Sequence, residues 1–143
     1  MPSTSTDDLV ALLHSRGQRV TSQRLMILRA LRRHVCHLTA SQIYNAVREE
    51  LPGTSAPTIY ATLELLVELG LIRRLDVGLG VARYDARTDP HQHMVCRCCG
   101  TVEDLEGEVD LSVPVGLARS AGFQPDRAEL VLTGLCVRCA RPQ

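Results

Sequence analysis

The sequence contains no lysine and no tryptophan, and it has only one phenylalanine and three tyrosines. A core with so few aromatics must be built from leucine, valine, isoleucine and alanine. A membrane-spanning helix needs about 18 consecutive apolar residues, and no apolar run in this sequence approaches that length. The first residues, MPSTSTDDLVALL, lack the basic start and long apolar stretch of a secretory signal. These absences predict no transmembrane helix and no signal peptide, and they favour a cytoplasmic protein.

The chain has 143 residues, of which 45% are hydrophobic, and six of them are cysteines. This length suits one ordinary domain or two small ones. Thiols stay reduced in the cytoplasm, so the cysteines indicate metal binding rather than disulfides.

The net charge of zero conceals an uneven distribution. Between His14 and Arg48 there are several arginines and no acid, whereas acids outnumber arginines from Asp85 onward. A basic first half suits contact with a polyanion such as DNA. A solvated arginine face is the alternative interpretation. The arginines of the basic stretch are Arg16, Arg19, Arg24, Arg29, Arg32, Arg33 and Arg48.

Residues 1–84 are predicted to form a winged helix-turn-helix domain. Four helices are indicated: one after Thr6, one capped by Thr21, one capped by Thr39 and one opening at Ser55. A hairpin of about 71–76 and 81–85 follows, with glycines at its turn. The fourth helix would be the recognition helix, whose start carries three groups able to reach phosphates or base edges. These are Ser55, Thr58 and Tyr60, although Tyr60 could instead be a core residue.

Residues 85–143 are predicted to form a small α/β dimerisation and metal-binding domain, which gives an α+β fold overall. The patterns indicate strands at 93–96, 100–105 and 128–135 and a helix over 111–121 that Pro114 interrupts. Such a unit is too small for a core of its own, so it needs a metal staple or a dimer partner.

Two CxxC pairs follow predicted strands, and they form the strongest signal in the sequence. Each pair places two sulfurs at corners of a tetrahedron, so Cys96, Cys99, Cys136 and Cys139 predict a closed structural zinc site. Redox-active cysteines are the alternative. Cys98 could replace Cys99, but the matched spacing favours Cys99. Cys36 and Cys98 then remain as ordinary thiols.

Histidines and carboxylates point to a second site. In His91-x-His93 the alternation places both imidazoles on one side of a strand. Asp104 comes within reach if its strand pairs with the first, while His37 and Asp85 lie earlier in the chain. Such nitrogen and oxygen ligands suit Fe²⁺, Mn²⁺ or Zn²⁺, and a metal held by both parts of the chain would shift the population toward the form that binds it better. Singly, each residue could equally be a surface histidine or a solvated acid.

Four segments together resemble the ferric uptake regulator (Fur) family: RVTSQR (19–24), SAPTIYATL (55–63), HQHMVC (91–96) and the two CxxC pairs. The resemblance spans about residues 9–139. It implies a homodimeric, metal-dependent repressor of operator DNA, with structural zinc on the cysteines and a regulatory metal on the second set. It also extends the DNA-contacting residues to Arg19, Gln23 and Arg24.

The resemblance further implies the peroxide-sensing, PerR-like branch. Iron sensors of the family carry glutamate where this chain has Asp104, and the five residues His37, Asp85, His91, His93 and Asp104 match the ligand set of that branch. Peroxide would react at Fe²⁺, oxidise His37 or His91 and release the protein from DNA at peroxide-defence genes. Mn²⁺ would activate without this oxidation.

Other functions remain open. An iron-responsive uptake repressor belongs to the same class, whereas a zinc-stapled interaction module without a regulatory metal belongs to another. A hydrolytic metalloenzyme would need a general base and a substrate pocket that no motif indicates, so we expect no enzymatic activity.

Overall fold

The structure is a computed structural model that describes residues 5–33 and 37–142. Cys36, predicted to be an ordinary thiol, lies outside the described residues. The chain divides into two compact units, 1–88 and 89–143. The boundary predicted between residues 84 and 85 falls inside the last strand of the first unit. Among the described residues, no helix has the length and apolar character needed to cross a membrane.

The first unit begins with four helices whose ends follow from local side-chain chemistry. They are α1 (Thr6–Ser15), α2 (Ser22–Arg33), α3 (Ala40–Glu50) and α4 (Ala56–Glu68). The predicted caps are confirmed at α2, α3 and α4, since the side chains of Thr21, Thr39 and Ser55 each accept from a main-chain N–H of the first turn. The cap of α1 is Ser5, in a reciprocal pair with Asp8.

A three-stranded sheet completes the first unit, in the order β1-β3-β2. The predicted hairpin is present but shorter, as β2 (Arg73–Leu75) and β3 (Arg83–Asp85), with Gly78 and Gly80 at positive φ in its turn. Strand β1 (Leu38–Thr39) was not predicted, because two residues carry no alternation pattern. It pairs antiparallel with β3 and so ties the start of α3 to the hairpin.

The core of this unit is aliphatic, as the scarcity of aromatics requires. Side chains from all four helices pack together, and those of α4 point inward at three- and four-residue spacing. One face of the predicted recognition helix is therefore fixed by the core and the other is left to solvent. The fully buried side chains include Leu13, Ile27, Leu28, Ile43, Ile59, Leu63 and Leu66.

The second unit is a three-stranded sheet with one helix. Its order is β5-β4-β6, formed by β4 (Gln92–Cys96), β5 (Val102–Leu105) and β6 (Val131–Gly134). Strand β4 pairs antiparallel with β5 and parallel with β6. Two predicted strands were too long. Gly100 adopts a φ of 74°, so β5 begins only after it. The main-chain N–H of Leu130 donates to the Gln92 side chain instead of to a strand partner, and β6 begins after that residue.

The helix of this unit corrects one prediction. Helix α5 (Ser112–Ser120) is continuous, whereas an interruption at Pro114 was expected. Proline is tolerated there because Pro114 is the third helical residue, and the first four N–H groups of a helix have no acceptor within it. None of the described side chains of α5 is buried.

Candidate metal centres and nucleic-acid interface

The four cysteines of the CxxC pairs meet at one edge of the second unit's sheet. Cys96 ends β4 and pairs with Gly134 of the parallel strand β6, so the turns that leave the two strands start side by side. Each turn closes with a main-chain hydrogen bond, from Gly100 N to Cys96 O (2.9 Å) and from Ala140 N to Cys136 O (2.8 Å). The parallel pairing thus brings together cysteines that are far apart in sequence.

The spacing of these sulfurs fits tetrahedral zinc. The four Sγ atoms all lie within 4.8 Å of one another, and Cys99 Sγ is 3.8 Å from Cys136 Sγ. They belong to Cys96, Cys99, Cys136 and Cys139. Zn–S bonds of about 2.3 Å in a tetrahedron give sulfur separations of about 3.8 Å. The set offers four thiols and no further ligand, so it suits a structural rather than a catalytic metal.

Surrounding groups favour the thiolate at two of the four ligands. Hydrogen bonds from the main chain of Cys99 and Cys136 lower the pKa of Cys96 to about 6. The hydroxyl of Thr101, 3.2 Å from Cys99 Sγ, lowers the pKa of Cys99. Hydrogen bonds with the neighbouring sulfurs, Cys136 foremost, raise the pKa of Cys139. Cys98 is exposed in the same turn and lies outside the four-sulfur set.

The first unit places His37 against Asp85. Leu38 pairs with Tyr84 in antiparallel register, so the residue before β1 comes opposite the last residue of β3. His37 Nε2 lies 3.6 Å from Asp85 Oδ2, and both side chains are largely removed from solvent. The other carboxylate oxygen of Asp85 accepts from the main-chain N–H of Arg87 at 2.8 Å. This pair offers one imidazole nitrogen and one carboxylate oxygen.

The second unit gathers His91, His93 and Asp104. The two strands pair, which was the condition for Asp104 to come within reach, and His93 lies opposite Asp104. Asp104 Oδ1 lies 3.1 Å from His91 Nε2 and 3.7 Å from His93 Nε2, and both histidines are buried. Two buried imidazole nitrogens that converge on one carboxylate oxygen form the arrangement expected of metal ligands.

A further contact, which the sequence did not indicate, orients His91. Its Nδ1 lies 2.7 Å from the main-chain oxygen of Asp89. A proton on Nδ1 donates to that carbonyl and leaves Nε2, the atom beside Asp104, with its lone pair. Outer contacts of this kind depend on loop geometry, which has no sequence signature.

The residues predicted to contact DNA differ in their exposure to solvent and in the hydrogen bonds that they make within the protein. Tyr60 is half exposed and Arg19 is exposed. Arg24 Nη1 donates to the main-chain oxygen of Arg19 at 2.8 Å, so Arg24 holds the loop that presents Arg19. Ser55 and Thr58 bond to each other through their hydroxyls at 2.8 Å. Gln23 is partly buried in the first turn of α2.

Comparison with known proteins decides the family. The family model described as "Ferric uptake regulator family" matches residues 15–133. The chain belongs to the ferric uptake regulator family. Members of this family are metal-dependent transcription regulators that bind DNA as dimers, and they are not enzymes.

Among Fur-family relatives, ferric uptake regulation protein 1 of Mycolicibacterium fortuitum is 38% identical over 125 residues, which are 87% of this chain and 77% of that protein. The peroxide operon regulator of Bacillus subtilis is 30% identical over 143 residues, covering 100% of this chain and 99% of that protein. Relatives named for iron and for peroxide thus both match.

Solved structures confirm the α+β Fur fold. The Helicobacter pylori ferric uptake regulator, described as having three functional metal binding sites, superimposes with a TM-score of 0.77 at 19% identity, covering 98% of this chain and 97% of that one. A zinc uptake regulator in complex with zinc and DNA gives a TM-score of 0.69 at 26% identity, covering 96% of both chains.

Proposed function

We propose that this Fur-family regulator is a homodimeric repressor that senses hydrogen peroxide through a regulatory Fe²⁺ and controls peroxide-defence genes. The observation that carries the proposal is the pair of buried imidazoles, His91 and His93, on one oxygen of Asp104. The carboxylate is an aspartate, as in the peroxide-sensing branch that the sequence resembles.

The proposed regulatory ligands are His37 and Asp85 of the first unit together with His91, His93 and Asp104 of the second. Neither the pair of residues in the first unit nor the three residues in the second supplies enough ligand atoms for iron or manganese by itself. Five nitrogen and oxygen ligand atoms together suit either ion. Metal held by ligands of both units would bind one arrangement of the chain better than others and so shift its population toward the DNA-binding form.

Fe²⁺ bound at these ligands would supply the reaction with peroxide, which Mn²⁺ does not. The protein's own contribution is to hold oxidisable imidazoles as ligands. His91 is buried, and its Nδ1 contact to Asp89 directs Nε2 toward Asp104. Oxidation of His91 or His37 would remove a nitrogen donor, weaken metal binding and thereby release DNA. The signal is therefore a stoichiometric modification of the regulator rather than turnover.

The second unit supports the proposed homodimer. Its described residues leave several large apolar side chains open to solvent, and α5 buries none of its own. Apolar exposure on this scale in so small a unit indicates a surface that a partner covers. The exposed side chains are Met94, Val113, Leu117, Phe123, Val131, Leu132, Leu135 and Val137.

An iron-responsive uptake repressor is the second candidate, favoured by the 38% identity to a ferric uptake regulation protein. The substitution Asp104→Glu separates the two, because the longer side chain moves the carboxylate oxygen relative to both imidazoles. We expect the variant to retain metal-dependent DNA binding and to lose most of its sensitivity to micromolar peroxide. DNA binding by metal-loaded protein is measured by fluorescence anisotropy before and after peroxide.

The matched control is Asp126→Glu, an exposed carboxylate outside both metal sets. It should respond to peroxide as the unmodified protein does. An unmodified protein that keeps its DNA through the peroxide treatment would support the iron-responsive function and exclude peroxide sensing.

A further inference from the structure

The solvent-facing side of α4 is unusual for a helix that reads DNA. Ile59, Leu63 and Leu66 are fully buried, so the core determines which side chains point outward. Those outward residues include no arginine, lysine, asparagine or glutamine, the side chains that make bidentate contacts with purines. They are Pro57, Tyr60, Ala61, Glu64 and Glu68.

The hydroxyl groups at the start of α4 are engaged within the helix. Ser55 and Thr58 are bonded to each other, and Thr62 Oγ1 donates to the main-chain oxygen of Thr58 at 2.8 Å. By contrast, the carboxylate of Glu64 has neither an ion pair nor a side-chain hydrogen bond with any residue in the part of the chain that the structure describes. Tyr60 and Glu64 are one turn apart on the exposed face and can therefore lie over neighbouring base pairs.

The negative charge of Glu64 weakens binding to most DNA sequences. Residues 49–72 contain four glutamates and no cation, although arginines dominate the stretch before them. Phosphates repel a carboxylate in the major groove, as do the acceptor atoms of guanine and thymine. The amino group of cytosine is a donor that glutamate accepts from, and adenine also presents an amino group. A base of the wrong kind beneath Glu64 therefore leaves its charge desolvated and unpaired.

We propose that Glu64 is a specificity-determining residue of the recognition helix, which accepts a hydrogen bond from the N4 amino group of cytosine on one strand and disfavours guanine or thymine at that position of the same strand. The proposal rests on the DNA binding proposed above and adds a base preference to it. In this arrangement the arginines between residues 16 and 48 supply affinity through phosphates, whereas Glu64 lowers binding to sequences that place guanine or thymine at that position of each half-site.

The test is selection of binding sites from a random duplex library by the full-length Mn²⁺-loaded protein. The unmodified protein should select cytosine at one position of each half-site. Glu64→Gln should lose that preference by about 5- to 150-fold, because the amide can also donate and pairs best with adenine. Preferences elsewhere in the site should be unchanged. Because Glu64 is exposed, the variant is expected to fold, and its thermal unfolding checks this.

Glu68→Gln is the matched control, with the same charge change one turn further along the exposed face. It should raise affinity for all duplexes to a similar extent and alter no base preference. Identical selected sites for the unmodified protein and Glu64→Gln would overturn the proposal, as would an equal change of preference in Glu68→Gln. If the unmodified protein selects no sequence at all, the proposed function falls as well.

Discussion

At the scale of single residues, both candidate metal sites include hydrogen bonds between a candidate ligand and a residue that is not itself a ligand. Thr101 Oγ1 lies 3.2 Å from Cys99 Sγ, and the main-chain oxygen of Asp89 accepts from His91. Neither contact could be predicted from the sequence, because each depends on how a turn closes. The candidate ligands could be proposed from the sequence, since cysteine spacing and histidine alternation are local patterns.

Thr101→Val tests the contact to Cys99. The substitution preserves shape but removes the hydroxyl that lowers the pKa of this cysteine. We expect zinc affinity to fall about tenfold, as is typical when an outer partner of a metal ligand is lost. Competition with a chromophoric chelator measures the affinity. Thr133→Val, an exposed hydroxyl of β6, is the control and should change zinc affinity little. Equal affinities for both variants would show that the Thr101 contact does not matter.

At the scale of elements, the recognition helix is held by the face that enters the core. Leu63 is fully buried between Ile59 and Leu66 along α4, whereas Val67 on the same helix is only partly buried. Leu63→Ala is expected to lower the free energy of unfolding by about 2–5 kcal/mol, because it leaves a cavity. Val67→Ala should cost clearly less. Urea unfolding followed by circular dichroism compares them, and similar losses would contradict the packing described.

The elements also show where sequence patterns stop being informative. Helices α1 to α4 have caps and apolar periodicity, and the sequence predicts them well. Strand β1 has two residues and no pattern of its own, yet it places His37 opposite Asp85. The parallel pairing of β4 with β6 is likewise invisible locally, because it joins segments separated by a strand and a helix. Pairing between distant segments is a tertiary property, so the sequence indicated candidate ligands but not the β1–β3 and β4–β6 pairings that bring some of them together.

At the scale of the whole molecule, the two units differ in what stabilises them. The first has a large aliphatic core, whereas the buried apolar residues of the second are few, chiefly Val95, Cys96 and Val102. We therefore propose that zinc held by the four cysteines stabilises the second unit, because the energy of metal binding contributes directly to folding.

Removal of zinc should consequently unfold the second unit selectively. We expect Cys136→Ser, or treatment with a strong chelator, to abolish amide protection in β4, β5 and β6 and to dissociate the dimer, while α2 to α4 remain protected. Hydrogen exchange followed by mass spectrometry resolves the two units, and Cys98→Ser serves as the control that retains zinc. Retained protection of β4 in the zinc-free protein would show that the site is not structural.

We propose that the His/Asp residues hold a metal that activates DNA binding and reports peroxide by oxidation of its own ligands. The most direct measurement follows operator binding by Fe²⁺-loaded and Mn²⁺-loaded protein before and after low micromolar peroxide, with peptide masses recorded on the same samples. We expect that only the iron form releases DNA and that the peptide containing His37 or His91 gains one oxygen atom. Release without histidine oxidation, or retention of DNA by both forms, would contradict it.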